Sequence, residues 1–286
     1  MIQVAHSPDA DDLFMYYAIV FGWVRSALGL EFKNVALDIE SLNVATMRGE
    51  YDVSAISFGA YPFVREHFAL LRTGVSFGQG YGPKLIKKQT THLKRNFKVA
   101  LSGEHTTNAI IFKIAYPEAR VVYKNFLEIE GAVLSGEVDA GVLIHESILN
   151  FDTCLVVERE IWDIWRELCG KELPLPLGGM ALRRSIPLNK AIDIESTLTQ
   201  AVSVATKNKK MLSKMLLERN VIRVNAQELE TYLDLYANDD SVCLSLAQKE
   251  GIDKLFALGY EAGIYDALIR CEDYLIPTQY QEMRFS

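Results

Sequence analysis

Four short polar stretches hold most of the side chains in this 286-residue chain that can do chemistry: residues 7–12, 57–61, 102–108 and 145–147. His145 directly follows the apolar run Ala140, Gly141, Val142, Leu143, Ile144 and precedes Glu146. A histidine at the end of a buried strand can be held neutral near pH 7 and can take a proton from a bound hydroxyl. The competing reading is a structural histidine with its hydrogen bonds satisfied. Thr106, Thr107 and Asn108 form a polar turn ahead of an apolar segment. Such a turn, opening a helix, presents free N–H groups and hydroxyls suited to a carboxylate or phosphate. Ordinary N-capping accounts for one of the two threonines.

The other candidates are weaker as catalysts. Ser57 sits in Ile56-Ser57-Phe58-Gly59, which lacks the Gly-x-Ser-x-Gly elbow of a serine nucleophile, so a hydrogen-bonding role fits better. Asp9, Asp11 and Asp12 invite a cation, but the spacing of a calcium loop is missing and Asp11 and Asp12 read as helix caps. Gly74, Gly78, Gly80 and Gly82 are not followed by the Gly-Lys-Ser/Thr of a phosphate-binding loop. Phe14, Tyr16, Tyr17, Tyr61 and Phe63 flank the polar turns. They can stack on an aromatic ligand, although their spacing also suits a core.

Regular elements must bring these turns together. Residues 2–5 read as a buried strand, 13–28 as a helix, 32–38 as a strand, 39–48 as a helix and 51–57 as a strand, with a further helix to about residue 68. Strands alternating with helices predict a parallel or mixed sheet covered by helices, with ligands beyond the carboxyl ends of the strands. The glycine-rich residues 74–83 read as a flexible crossover. A second strand–helix series begins at residue 97, with strands at 97–101, 121–122 and 140–144. Residues 173–179, rich in Pro and Gly, read as extended and stiff, and 180–183 as a strand returning to the first lobe. From residue 193 the pattern is helical, with breaks expected near Asn220, Asn238 and Gly251. The expected architecture is an α/β protein of two lobes, with residues 1–90 and 185–286 in lobe one and 91–184 inserted as lobe two. Each lobe is a mixed sheet flanked by helices, and two crossovers, near residues 74–95 and 174–184, act as a hinge over a ligand cleft.

Composition narrows the partners. The chain is 49% hydrophobic and 23% charged with a formal net charge of −7, a balance opposed to nucleic-acid binding. Cys154, Cys169, Cys243 and Cys271 include no Cys-x-x-Cys pair, which reads as buried thiols in a reducing compartment and not as a zinc site. The first residues carry no basic stretch ahead of an apolar one, and the apolar stretch at 14–24 is short for a bilayer. A cytoplasmic location with no membrane partner is therefore expected. The sequence leaves the oligomeric state open, a homodimer included.

An ordered set of motifs resembles a known family. These are Ser7-Pro8 with an acidic turn before Phe14-Met15-Tyr16, Gly49-x-x-Asp52-Val53 leading to Ser57 and Ala60-Tyr61, and Gly78-x-Gly80-x-Gly82-Pro83. Thr106-Thr107, Gly136-x-x-Asp139-Ala140-Gly141 with Ile144-His145-Glu146, Leu175-Pro176-Leu177-Gly178-Gly179, Arg183-Arg184 and Tyr236-Ala237-Asn238 follow. Over nearly the whole chain they look like the 1,4-dihydroxy-6-naphthoate synthase family of the futalosine route to menaquinone. The resemblance implies the type II periplasmic-binding-protein-like fold in an enzyme that works inside the cell. It implies a carbon–carbon lyase that opens cyclic dehypoxanthine futalosine to 1,4-dihydroxy-6-naphthoate without metal or organic cofactor. His145 is then the proton acceptor, and Ala55, Ile56, Ser57, Thr106, Thr107 and Asn108 bind substrate, with Ser7, Asp12 and Glu146 beside them. The small-molecule partner is carboxylated, aromatic and rich in hydroxyls. The chain departs from the family at the first turn, usually Ser-Pro-Cys-Pro-Asn-Asp-Thr and here Ser7-Pro8-Asp9-Ala10-Asp11-Asp12-Leu13. It also has Asn108 in place of a small apolar residue. Chorismate dehydratase, which shares the fold, and a non-catalytic binder of small carboxylates are the alternatives.

Overall fold

The computed structural model describes residues 1–220 and 224–279. The side chains of residues 10 and 11 lie outside that description, and with them the expected cap at Asp11. The strands are β1 (Ile2–His6), β2 (Phe32–Ala36), β3 (Val53–Ser57), β4 (Phe68–Leu70), β5 (Ser76–Gly78), β6 (Lys84–Lys88), β7 (Lys98–Leu101), β8 (Arg120–Tyr123), β9 (Ala140–Leu143), β10 (Leu155–Glu160) and β11 (Leu175–Arg183). The helices are α1 (Ala10–Val20), α2 (Ile39–Met47), α3 (Thr107–Ala115), α4 (Phe126–Ser135), α5 (Ile161–Cys169), α6 (Leu188–Lys207), α7 (Lys209–Glu218), α8 (Ala226–Tyr236) and α9 (Leu246–Glu261).

Two mixed sheets result. The first runs β2-β1-β3-β11-β4, with β5 also on β11; the second runs β10-β6-β9-β7-β8. In the first, β1 is parallel to β2 and β3, and β11 pairs antiparallel with β3 so that Gly178 faces Ser57. In the second, β7 is parallel to β8 and β9, while β6 is antiparallel to β9 and β10. β3 and β9 are buried along their whole length, as their short apolar sequences require of strands covered on both faces. The expected division placed residues 84–90 in the first lobe and 91–184 in the second. Strand pairing puts β6 in the second sheet and β11 in the first.

Several local expectations are corrected by tertiary pairing. The helix expected up to residue 68 is a short 3-10 turn, Tyr61–Phe63, followed by β4. β4 pairs with β11, and the Tyr61 hydroxyl donates to the Phe68 carbonyl at 2.8 Å, so sheet bonds replace helical ones. The glycine-rich crossover contains β5, bonded to β11. α1 stops at Val20, short of residue 28. Gly251 does not break α9: a Cβ there would lie 2.6 Å from the Pro174 carbonyl oxygen, so the glycine admits the extended 173–176 segment against the helix. Of the cysteines, Cys271 is buried, Cys169 half-buried, and Cys154 and Cys243 are exposed, all four as free thiols.

The apolar core is shared between the lobes. Ile56, Phe58, Tyr61 and Phe68 pack in one continuous cluster with Val99, Phe112, Ile161 and Trp165. A second cluster joins Phe14 and Met15 of α1 with Leu143 of β9 and with Tyr232 and Tyr236 of α8. α8 opens on a capping box in which Asn225 and Glu228 exchange bonds, and Tyr232 and Tyr236, four residues apart, share one face of it.

Candidate active site

The carboxyl ends of β1, β3, β7 and β9 open onto one cleft between the sheets, about 740 Å³ including its solvent-open mouth. Ser7, Asp12, Ala55, Ile56, Ser57, Thr106, Thr107, Asn108 and His145 all line it. Ser102, from the polar stretch 102–108, lines it too, as do residues not singled out from sequence for the site: Ile144, Leu177, Gly178, Gly179, Tyr232 and Tyr236. Glu146 is not among the lining residues. It lies half-buried in the 3-10 turn His145–Ile148, where its carbonyl accepts from the Leu149 N–H.

The first turn is organised by two carboxylates. Asp12, expected as a helix cap, accepts from the Ser7 backbone N–H at 2.7 Å. Burial pushes its carboxyl above the usual range, a shift opposed by the charge of His6 and by the bond from Ser7. Asp9 occupies the N-cap position of α1, while its carboxylate accepts from the Ser7 hydroxyl. The same Asp9 oxygen, Oδ2, stands 2.7 Å from Nδ1 of His145 in the second lobe. Asp9 is only 1% exposed.

His145 adopts φ +54°, a left-handed conformation uncommon for a residue with a side chain. It arises where β9 ends and the chain turns sharply into the 3-10 segment. The edge of Phe126 packs on the imidazole with ring centroids 5.0 Å apart. The ring is thus held by an ion-pair partner and an aromatic wall, while lining the cleft.

Ser57 is oriented by Asn43 of α2. Asn43 Oδ1 accepts from the Ser57 N–H at 2.9 Å, and Asn43 Nδ2 donates to Ser57 Oγ at 3.1 Å. Asn43 is fully buried, and no local pattern marks it: a single asparagine in a helical stretch reads as surface until the helix is docked.

The α3 turn divides its work. Thr106 is the N-cap, accepting from the Ala109 N–H, and donates to Asn108 Oδ1. The Thr107 hydroxyl donates to the Leu177 carbonyl at 2.8 Å and accepts from the Gly59 N–H at 2.9 Å. It therefore stitches three segments, and its hydroxyl is engaged in holding them together. Asn108 Nδ2 and Ser102 Oγ are buried with no hydrogen-bond partner among the described residues. Both belong to residues lining the cleft, and both can donate to a ligand oxygen.

The lobes are further joined by Glu40 and His105, 2.7 Å apart. The hydrogen bond that the His105 imidazole donates to Glu40 pushes its pKa above the ordinary value. The aromatics named from sequence are mostly packing groups: Tyr16 stacks on His6, Tyr17 meets Phe21, Tyr61 stacks on Phe256 and Phe63 meets Tyr265. The rings that line the cleft are Tyr232 and Tyr236, whose i, i+4 spacing was the available signal. Among the described residues no three His, Cys, Asp or Glu side chains are grouped to hold a metal ion.

Two mixed β-sheets, flanked by helices and closing on one cleft, define the class of periplasmic-binding-protein-like proteins. The fold is shared at 12% identity with a Candida albicans protein described as having the generic periplasmic binding protein fold, with a TM-score of 0.74 over 100% of this chain and 99% of that one. It is shared at 11% with the periplasmic aliphatic sulphonate binding protein of Escherichia coli, with a TM-score of 0.65 over 100% and 95%. A crystal structure of an Archaeoglobus fulgidus protein is nearer: 32% identity, TM-score 0.85, covering 92% of this chain and 98% of that one.

The chain belongs to the menaquinone-biosynthesis family, whose model matches residues 2–261. It is 29% identical to the 1,4-dihydroxy-6-naphthoate synthase of Thermus thermophilus over 92% of this chain and 95% of that protein. It is 27% identical to the synthase of Streptomyces coelicolor over 93% and 95%. The protein is accordingly an enzyme of menaquinone biosynthesis, like 1,4-dihydroxy-6-naphthoate synthase in sequence. No helix among the described residues is long and apolar enough to cross a membrane.

Proposed function

We propose that this chain opens cyclic dehypoxanthine futalosine to 1,4-dihydroxy-6-naphthoate, with His145 as general base. The observation that carries the reading is the placement of His145: strand-end, conformationally unusual, paired with buried Asp9 and in the same cleft as unpartnered donors of Ser102 and Asn108. Neutral His145 takes the proton of a substrate hydroxyl. The oxygen's electrons then form a carbonyl as the adjacent C–C bond breaks, in the manner of a retro-aldol. The electron pair released onto carbon is taken up as the ring system becomes aromatic. The α3 N-terminus with Ser102 and Asn108 suits the substrate carboxylate, Ser57 a hydroxyl, and Tyr232 and Tyr236 the fused ring. The segments joining the two sheets, residues 79–83 and 161–174, are the hinge in this reading, so that closure excludes water around the base. A cytoplasmic location fits this biosynthetic role.

Replacing His145 with Ala is expected to lower kcat on cyclic dehypoxanthine futalosine by about 10²–10⁴-fold, the usual contribution of a general base, with binding retained. Unchanged turnover in that variant rejects the assignment. Release of water from chorismate by the wild-type enzyme would assign the dehydratase activity instead, and tight binding with no turnover of either compound would assign a binding protein.

A further inference from the structure

Resting on that reading of His145, we infer that Asp9 is its positioning residue: the Asp9 carboxylate holds the imidazole with its proton on Nδ1, so that Nε2 is the nitrogen that accepts the substrate proton. Asp9 Oδ2 and His145 Nδ1 are 2.7 Å apart, and Asp9 is almost wholly buried. A carboxylate there can only accept, so Nδ1 must be the donor, and the basic lone pair falls to Nε2. The carboxylate is itself held, because the Ser7 hydroxyl donates to the same oxygen. Phe126 restrains the ring from another side.

The two partners belong to different lobes, Asp9 after β1 and His145 after β9. The base is therefore completed only when the lobes are together. This links closure over a substrate to formation of the competent tautomer.

The charge also sets the base strength, since an adjacent carboxylate favours the imidazolium. Among the described residues, the other titratable groups around the pair include Asp12 and His6 of the first turn, Glu146 next in the chain, and Tyr232 and Tyr236 of α8. A base works deprotonated, so activity falls as pH drops through its pKa. Removing the Asp9 charge lowers that pKa and moves the acid limb to lower pH, while the maximum falls because the tautomer is no longer enforced.

The experiment compares wild type, Asp9→Asn and Asp9→Ala by kcat, KM and the pH profile on cyclic dehypoxanthine futalosine, and by ¹⁵N NMR of the histidine imidazoles. Expected for Asp9→Asn, which keeps the shape of the side chain, are a kcat lower by about ten- to a hundredfold, a fraction of the loss expected at a general base. KM should stay within about twofold, the acid limb should shift downward, and the His145 resonances should lose the Nδ1–H tautomer pattern. A wild-type pH profile and unchanged His145 resonances in Asp9→Asn overturn the inference. The imidazole spectra read the pairing even if the enzyme turns over a different substrate, so failure of the Asp9 inference and failure of the lyase reading are told apart.

Discussion

The carboxylate of Glu40, on α2 of the first lobe, lies 2.7 Å from Nδ1 of His105, on the turn before α3 in the second, and also accepts from the His105 backbone N–H at 3.2 Å. Gly103 makes room for it, since a Cβ at that position would come within 2.6 Å of Glu40 Cβ. The contact bridges the lobes beside the cleft and links the protonation of His105 to the stability of the fold.

The direction follows from His105, whose pKa is raised above its unfolded value by the bond to Glu40. Such a group contributes stability fully below pH about 6.5 and loses it as pH rises through the raised folded value. Both side chains are about a quarter exposed or less, so solvent screening leaves the contribution at about 1 kcal/mol, or about 2 °C in Tm for a chain of this size. The Tm difference between wild type and Glu40→Gln should therefore be larger at pH 6 than at pH 9. Equal differences at both pH values rule out the His105 charge as its source.

Thr107 yields a test of the interlobe stitch. Thr107→Val keeps the shape but leaves the Gly59 N–H without its acceptor in a buried setting, while the Leu177 carbonyl keeps its bond from the Phe58 N–H and loses only the Thr107 hydroxyl. Leaving buried groups unpaired costs about 1–3 kcal/mol, readable as a lower urea midpoint. Thr107→Ser, which keeps the hydroxyl, should recover most of it. A Val variant as stable as wild type would show that the hydroxyl does not hold the segments together.

Ser102 predicts the opposite pattern. Its buried hydroxyl has no partner among the described residues, so Ser102→Ala should leave the urea midpoint unchanged or slightly raised. If the hydroxyl donates to the ligand, affinity for the carboxylated substrate falls about tenfold, the equivalent of one ordinary hydrogen bond of about 1.4 kcal/mol. Isothermal titration on the inactive His145→Ala background separates this loss from catalysis. Undiminished affinity would remove Ser102 from the binding surface.

Much of the candidate site's lining was legible because strand-end turns have a local signature. The runs at 2–6, 53–57, 98–101 and 140–143 are short and apolar, and each is followed by polar residues. Such strands in an α/β sheet deliver their following turns to one edge. What could not be read was which polar group meets which. The Asp-rich first turn looked like a set of helix caps, and Asp9 stands where the family resemblance would put cysteine. Nothing near it in sequence indicates that its carboxylate meets His145. Thr107 looked like a ligand hydroxyl and is occupied by Leu177 and Gly59, contacts that exist only because β11 returns to pair with β3.

The sequence by itself determined the α/β class, the order of strands and helices around the polar turns, the singling out of His145, and the family resemblance. Those rest on periodicity, turn chemistry and ordered motifs, which are written locally along the chain. The tertiary structure decided that residues 61–70 form a turn and an edge strand in place of a helix, that Asn43 braces Ser57, and that Asp9 and Glu40 reach across to His145 and His105. Each of these depends on a buried polar group finding its partner in a distant segment. Burial makes such pairing obligatory, but the identity of the partner is set by how the two sheets pack.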